Sequence, residues 1–148
     1  MINSIKAVMQ RHLEKLSVEI DSYKNEEDLW LTSGSISNSA GNLCLHLCGN
    51  LQHFIGAVLG DTGYIRHREA EFSATNIPRK DIQQQINDTI TSISKTLDGM
   101  DNNKLQDEYP VQVFGKPMTT EYFLVHLTSH LGYHLGQINY HRRLLAQG

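Results

Sequence analysis

The sequence predicts an all-α protein, a four-helix bundle with long connections between its helices. Two observations carry this prediction. Four segments of about twenty residues repeat apolar side chains at helical spacing, with charged residues between them. The stretches that separate these segments are polar and contain glycine, serine or proline. At 148 residues the chain is long enough to form one domain with a buried core, so side-by-side packing of four helices is the simplest arrangement.

The first helix is predicted from about Asn3 to Lys24, because apolar residues recur there every third or fourth position. These positions are Ile5, Met9, Leu13, Leu16 and Ile20. A polar connection follows, from Asn25 to Gly41, and we expect Trp30 to attach it to the core.

The second helix is predicted from about Ser39 to Leu59, with Ser37 or Ser39 as its N-cap and Gly60-Asp61 as its stop signal. It is followed by a long charged connection that ends at Pro78. Connections of this length are usually functional or packed on themselves.

Pro78 opens the third predicted helix, and Gly99 marks its end. Two short extended pieces are expected next, around Gly115. Thr119 is the expected N-cap of the fourth helix, which is predicted to run to about Gln147.

Composition argues against several classes of function. The net charge is −3 and the charges are mixed along the chain, so the basic stripe of a nucleic-acid-binding protein is missing. No apolar run reaches the roughly 20 residues that span a bilayer, and the N-terminus has no signal-peptide core. We therefore expect no nucleic-acid partner and no membrane. The motifs of zinc proteases, serine hydrolases and P-loop enzymes are also missing.

The two cysteines, Cys44 and Cys48, lie four residues apart on the second predicted helix. On a helical wheel they point roughly 160–200° away from His46, so the three side chains cannot share one ion. We interpret the cysteines as small buried thiols. Without a disulfide framework, the default location is reducing and cytoplasmic.

The fourth predicted helix carries a stripe of histidines about 90° from its leucine stripe. His130 and His134 are one turn apart, so both can reach one ion, but a stable site needs a third protein ligand. The second helix offers His46 and His53, which lie roughly 10 Å apart along the axis. One metal ion cannot easily take both, and the spacing leaves both as candidates. His126 and His141 are expected at the rim or on the surface.

Two motifs resemble a known family. They are Asn42-Leu-Cys-Leu-His46-Leu-Cys-Gly49-Asn50-Leu and His130-Leu-Gly-Tyr-His134-Leu-Gly136-Gln137. Together they are similar to the DinB-like superfamily of metal-binding four-helix bundles. The run Arg66-x-Arg68-Glu69-x-Glu71-Phe72 also resembles a subgroup whose activity is undetermined.

The resemblance implies the ligands His46, His130 and His134, a divalent metal ion and a homodimer. In some relatives it implies transfer chemistry with a low-molecular-weight thiol such as bacillithiol or mycothiol. Three neutral imidazoles leave the ion a net dication with open coordination, the pattern of a reactive site. We expect zinc or nickel.

The leading functional hypothesis is therefore a metal-dependent enzyme that activates a small thiol and presents the thiolate to an electrophilic small molecule. A metal-dependent hydrolase or isomerase without a thiol is the first alternative. A non-catalytic dimeric metal-binding module is the second, and a histidine-rich bundle without metal also remains.

Further residues are candidates for the pocket. Gln137 would line it or make a helix-packing hydrogen bond, and Asn50 would bond a loop or a ligand histidine. His53 would support the site or lie on the surface. Arg66 and Arg68 would hold a substrate carboxylate or, as we prefer, pair with acidic residues of their own loop. A carboxylate that orients a ligand imidazole or acts as a base is expected, without a choice among Asp61, Glu69, Glu71 and Glu121.

Overall fold

The computed structural model describes residues 1–146, and all regular secondary structure among them is helical, with no strand. The helices are α1 (Ile2–Asp21), α2 (Ala40–Gly60), α3 (Arg68–Ser73), α4 (Arg79–Asp98) and α5 (Thr120–Leu145). Two single turns of 3₁₀ helix, Glu26–Trp30 and Asn102–Gln106, lie in the connections. Four long helices form the bundle, so the predicted all-α class is confirmed.

The four long helices form a closed ring in the order α1, α4, α2, α5, so α1 lies diagonally from α2. Helix α1 is antiparallel to α4, since Lys6 pairs with Asp98 and Ser17 bonds Gln83. Helix α2 runs parallel to α4, with Gly56 beside Ser92 and Gly60 beside Thr96. It is antiparallel to α5, whose Phe123 ring meets the Phe54 ring edge to face while His130 contacts His46. The chain therefore runs up, down, down and up.

This topology explains the long connection after α2. Parallel neighbours require the chain to return along the whole length of α2, about 30 Å. Helix α3 lies in this return segment and packs against α2. The sequence analysis placed no helix here, because six residues are too few to show a periodic pattern.

One continuous apolar core holds the bundle together, with contributions from every long helix. Its fully buried members include Met9, Leu13, Leu51, Ile86 and Leu131. Burial of such side chains is worth about 1.5–3 kcal/mol each. Trp30 packs against this core, and its ring lies so close to Gly41 that a Cβ there would come within 2.7 Å of it. The predicted attachment of the first connection is confirmed.

The predicted helix ends agree with the structure within a few residues. Ser39 caps α2 by accepting from the backbone N–H of Asn42, and Thr119 caps α5 by accepting from that of Tyr122. Pro78 precedes α4 and Gly99 follows it. The prediction of two extended pieces around Gly115 is wrong, since the described chain has only an isolated bridge between Glu108 and Thr119. Gln147, the predicted end of the last helix, lies outside the described residues.

Helix α2 is long and apolar enough, by length and composition alone, to cross a membrane, with a mean hydropathy of 1.3 in its most apolar window. The prediction that no apolar run reaches the roughly 20 residues that span a bilayer did not anticipate this helix. However, 61% of that window is buried inside the protein. The core helix of a soluble protein has the same composition, so burial between the other helices explains why α2 is apolar on almost every face.

Candidate metal centre

Three histidines from two helices meet inside the bundle. His46 of α2 is 7% exposed, and it faces His130 and His134 of α5. One ring nitrogen from each of the three side chains lies within 4.8 Å of the others. The three rings are nearly perpendicular to one another, with centroids 4.5 to 5.4 Å apart. Helix geometry places His130 and His134 one turn apart, and the antiparallel packing of α2 on α5 brings His46 to them.

The His46 ring is oriented by a carboxylate. Its Nδ1 lies 3.1 Å from Glu71 Oε1. Burial alone would raise the pKa of Glu71, but hydrogen bonds from His46 and Arg66 outweigh it, and the pKa lies below its usual value. An ionised carboxylate only accepts, so the His46 Nδ1 carries the proton and donates it. The Nε2 lone pair of His46 is then left to face His130 at 3.2 Å.

Arg66 completes this arrangement. Its Nε lies 2.9 Å from Glu71 Oε2 and its Nη2 lies 2.9 Å from Glu71 Oε1, a two-pronged ion pair. Both side chains are nearly buried, so the guanidinium compensates a carboxylate that water hardly reaches. The preferred prediction for Arg66, pairing within its own loop, is confirmed, and its charge is not free for a substrate carboxylate.

Gly49 is what lets the carboxylate approach α2. A Cβ at this position would collide with the Glu71 carboxyl group. Helix α3 therefore reaches His46 only because α2 has no side chain one turn after His46 on that face. The sequence analysis left four acidic residues open for the orienting role, and the structure places Glu71 there.

His134 is oriented by Gln137 in a similar way. Its Nδ1 lies 2.7 Å from Gln137 Oε1, and because an amide oxygen only accepts, the Nδ1 carries the proton. The Nε2 of His134 is thereby free. Gln137 also lines the adjoining cleft, as one of the two predictions for it stated, while its hydrogen bond is made within α5 and not between packed helices.

The two candidate ligands on α5, His130 and His134, are favoured in their neutral form. Burial and, to a smaller extent, the neighbouring His134 and His46 together lower the pKa of His130 to about 4. Burial also lowers the pKa of His134, although the hydrogen bond to Gln137 opposes this. Neutral imidazole is the form that binds metal.

The other candidates lie outside this group. His53 is half-buried with its ring against Phe54. Asn50 is buried, but its Oδ1 has no hydrogen-bond partner in the part of the chain that the structure describes, so neither bond proposed for it is present. Arg68 is exposed and lies over the Phe72 ring at 5.2 Å, and no ion pair with Glu69 or Glu71 forms within residues 1–146. The pairing expected for Arg68 is therefore wrong.

Two further groups behave as structural parts. Cys44 and Cys48 are free and buried, as interpreted from the sequence. Their mutual hydrogen bond and their burial raise the pKa of Cys44, which keeps it a thiol. His141 is half-buried, with both ring nitrogens used inside the protein.

A cleft of about 790 Å³ opens beside the three histidines. One wall is the C-terminal half of α5, including His134, and the other is the connection from Leu31 to Asn38. This volume lies in the range of small-molecule sites. The serine-rich connection, which the sequence analysis described only as polar, thus borders the site.

The residues fit a divalent metal ion. Three imidazoles converge, and two of them have Nδ1 bound by an oxygen acceptor, which directs Nε2 toward the common centre. A comparison with models of protein families matches residues 2–148 to the family described as "Protein of unknown function (DUF1572)". The chain belongs to this family. DUF1572 is part of the DinB-like superfamily, in agreement with the resemblance of the two histidine motifs.

A comparison with curated proteins finds no match to this DUF1572 chain. The case for a function therefore comes from the site itself. In this DUF1572 protein, three histidines that could hold a metal ion lie at the edge of a cleft. Hydrogen bonds orient the ring of His46 on α2 and the ring of His134 on α5.

Proposed function

We propose that this DUF1572 protein binds one divalent metal ion through His46, His130 and His134 and uses it to activate a small thiol for transfer to an electrophile. The observation that carries the proposal is the convergence of three imidazole nitrogens within 4.8 Å beside an open cleft. Three protein ligands leave a coordination position for a further group, as in catalytic zinc sites. Zinc and nickel both suit imidazole ligands.

A bound dication would supply the Lewis acidity that lowers the pKa of a thiol, so that the thiol releases its proton to solvent at neutral pH. The thiolate sulfur then forms a bond to an electrophilic carbon, and the leaving group departs with its electron pair. The protein's own residues position the ligands. Glu71 holds the His46 ring, Arg66 neutralises Glu71, and Gln137 holds the His134 ring.

The metal site is tested by elemental analysis of protein purified without a histidine tag. We expect about one metal ion per chain in the wild type, as in three-histidine zinc sites, and almost none in His46→Ala or His134→Ala. His53→Ala is the matched control, since His53 lies on the same helix and outside the group. Metal retention in His46→Ala would contradict the assignment.

The reaction is tested on metal-loaded protein with a panel of low-molecular-weight thiols and electrophiles. We expect loss of free thiol that requires the metal and disappears in His46→Ala. Turnover that continues after thiols are removed would favour a hydrolase or isomerase instead. Metal-loaded protein that is inert toward every pair would favour a non-catalytic metal-binding module.

We further infer that the protein is a homodimer in a reducing, cytoplasmic location. Large apolar side chains, Val18, Tyr122 and Val125, are exposed along the face formed by α1 and α5, and such a face suits a second copy of the chain. The free thiols of Cys44 and Cys48 support a reducing compartment. Light scattering coupled to gel filtration measures the mass, and a monomer would contradict the dimer.

A further inference from the structure

We propose that the walls of the cleft beside the metal centre bind the uncharged, largely apolar part of a molecule and select against a carboxylate placed away from the metal position. The inference names the ligand class for the proposed thiol-activating function and rests on that function for its biological meaning. It follows from the chemistry of the cleft walls, which no family match describes.

The cleft and the three histidines share a side chain. His134 belongs to both, and Gln137, which holds the His134 ring, also lines the cleft. A molecule in the cleft therefore lies next to the metal position. The volume of about 790 Å³ accommodates a compound of drug-like size.

The walls combine apolar surface with neutral hydrogen-bonding groups. Leu31, Ile36 and Leu43 supply aliphatic contacts, and Tyr140 supplies an aromatic one. The polar members of the Leu31–Asn38 wall are hydroxyl and amide side chains. No lysine, arginine, aspartate or glutamate lines the cleft within residues 1–146. Such walls solvate neutral molecules and offer an anion no counter-charge.

The two histidines of the walls do not change this conclusion. His141 donates from Nε2 to the Leu31 carbonyl and accepts at Nδ1 from the Tyr23 hydroxyl, so both nitrogens are used. The Nδ1 of His134 is bound to Gln137. Neither ring has a free N–H for a carboxylate in the cleft.

The nearby cations are also engaged elsewhere. Arg66 is held by both oxygens of Glu71 and does not line the cleft. Arg143 lies over the Tyr140 ring, but it donates to Asn139 and is not part of the wall. A carboxylate held by the cleft walls, away from the metal position, would lose hydration without gaining an ion pair, so we expect it to bind poorly there.

The test uses full-length protein and two matched pairs of compounds. Mercaptohexanol and mercaptohexanoate are added to zinc-loaded and to metal-free protein. Hexanol and hexanoate, which lack the thiol, are added to metal-free protein, so that their carboxylate cannot bind zinc. Binding is followed by the methyl resonances of Ile36 and Leu144, both in the cleft wall. We expect the alcohol of each pair to bind about ten-fold more tightly than the acid, because an unpaired charge is costly to desolvate. Equal or tighter binding of the acids, or no shift of these methyls by either alcohol, would overturn the proposal.

A variant pair sharpens the result. Ile36→Lys adds a cation to the wall, and we expect it to improve mercaptohexanoate binding about two- to five-fold, the range of an exposed charge pair. Val113→Lys is the control, since Val113 is similarly exposed and lies outside the cleft. An equal effect of the two variants would show that overall charge, and not the cleft, sets the preference, which contradicts the proposal.

The design separates this inference from the proposed function. If zinc adds no affinity for mercaptohexanol while each alcohol still binds more tightly than its acid, thiol activation is wrong and the ligand class stands. If zinc adds affinity for mercaptohexanol while the acids bind more tightly than the alcohols, thiol activation stands and the ligand class is wrong.

Discussion

The middle and the end of α5 carry histidines on one stripe, yet the two regions differ in what the ring nitrogens contact. In the middle, His134 makes one ring hydrogen bond within residues 1–146, from Nδ1 to Gln137, and one of its ring nitrogens lies within 4.8 Å of nitrogens of His46 and His130. At the end, His141 uses both nitrogens, one with the Tyr23 hydroxyl at 2.6 Å and one with the Leu31 carbonyl at 2.8 Å.

The difference teaches how to separate a ligand histidine from a structural one. Position on a helix face does not separate them, because these histidines share a face. A ring nitrogen that makes no hydrogen bond does separate them, since a metal needs an unshared lone pair on neutral imidazole. At the end of α5, Arg142 and Asn139 are also fully engaged, both with Glu19 of α1.

The largest expected effect tests this comparison directly. His130→Ala should remove metal almost completely, because two imidazoles alone do not make a stable site. His141→Ala should keep the metal and lose about 1–2 kcal/mol of unfolding free energy, from the hydrogen bonds of Tyr23 and Leu31. Elemental analysis and denaturant unfolding measure the two effects, and metal loss in His141→Ala would break the comparison.

The second effect concerns Gly49 and Gly136, one glycine from each of the two histidine motifs. Gly49→Ala should destabilise the protein by about 3 kcal/mol or more, because the new Cβ displaces Glu71 from Arg66 and His46. Gly136→Ala should instead stabilise it by about 0.5–1 kcal/mol, since a Cβ there meets no atom within 4 Å. Unfolding in urea measures both. A destabilised Gly136→Ala would show that another copy of the chain packs on this glycine.

The third effect separates orientation of His46 from ligation. Glu71→Gln should weaken metal binding about 10- to 100-fold. The neutral amide would orient the His46 ring less firmly than the carboxylate does, and it would leave the charge of Arg66 uncompensated. Competition with a chromophoric chelator gives the affinity. Glu69→Gln, an exposed neighbour on the same short helix, should leave the affinity unchanged. Equal affinities of Glu71→Gln and wild type would remove Glu71 from the site.

The smallest effect belongs to the end of α5. Burial alone would raise the pKa of Glu19, but hydrogen bonds from Arg142 and Asn139 outweigh it and hold the pKa below its usual value. The ionised form therefore stabilises the fold above the ordinary carboxyl pKa, and this contribution is lost as pH falls through the lowered pKa. Glu19→Gln should cost about 1 kcal/mol at neutral pH and less in acid. If Glu19→Gln destabilised the protein more in acid than at neutral pH, the inferred direction of the Glu19 pKa shift would be wrong.

Most of the site residues could be predicted, but the supporting ones could not. His130 and His134 follow from one turn of helix, whereas the choice of His46 over His53 came from the resemblance. Glu71 remained one of four candidates, because nothing in the sequence says that the return segment after α2 passes His46. The π-helical stretch Gln52–Ala57 within α2 also stays hidden, since the prediction assumed 3.6 residues per turn along the whole helix.

The sequence by itself determined the helices, the caps at Ser39 and Thr119, and the i, i+4 histidine pair, because helix geometry fixes which side chains within one segment share a face. Only the tertiary structure decided which helices are neighbours, which acid holds His46, and that a cleft with uncharged walls adjoins the histidines. These depend on contacts between residues far apart in the chain, which arise from how the four helices bury their apolar faces together.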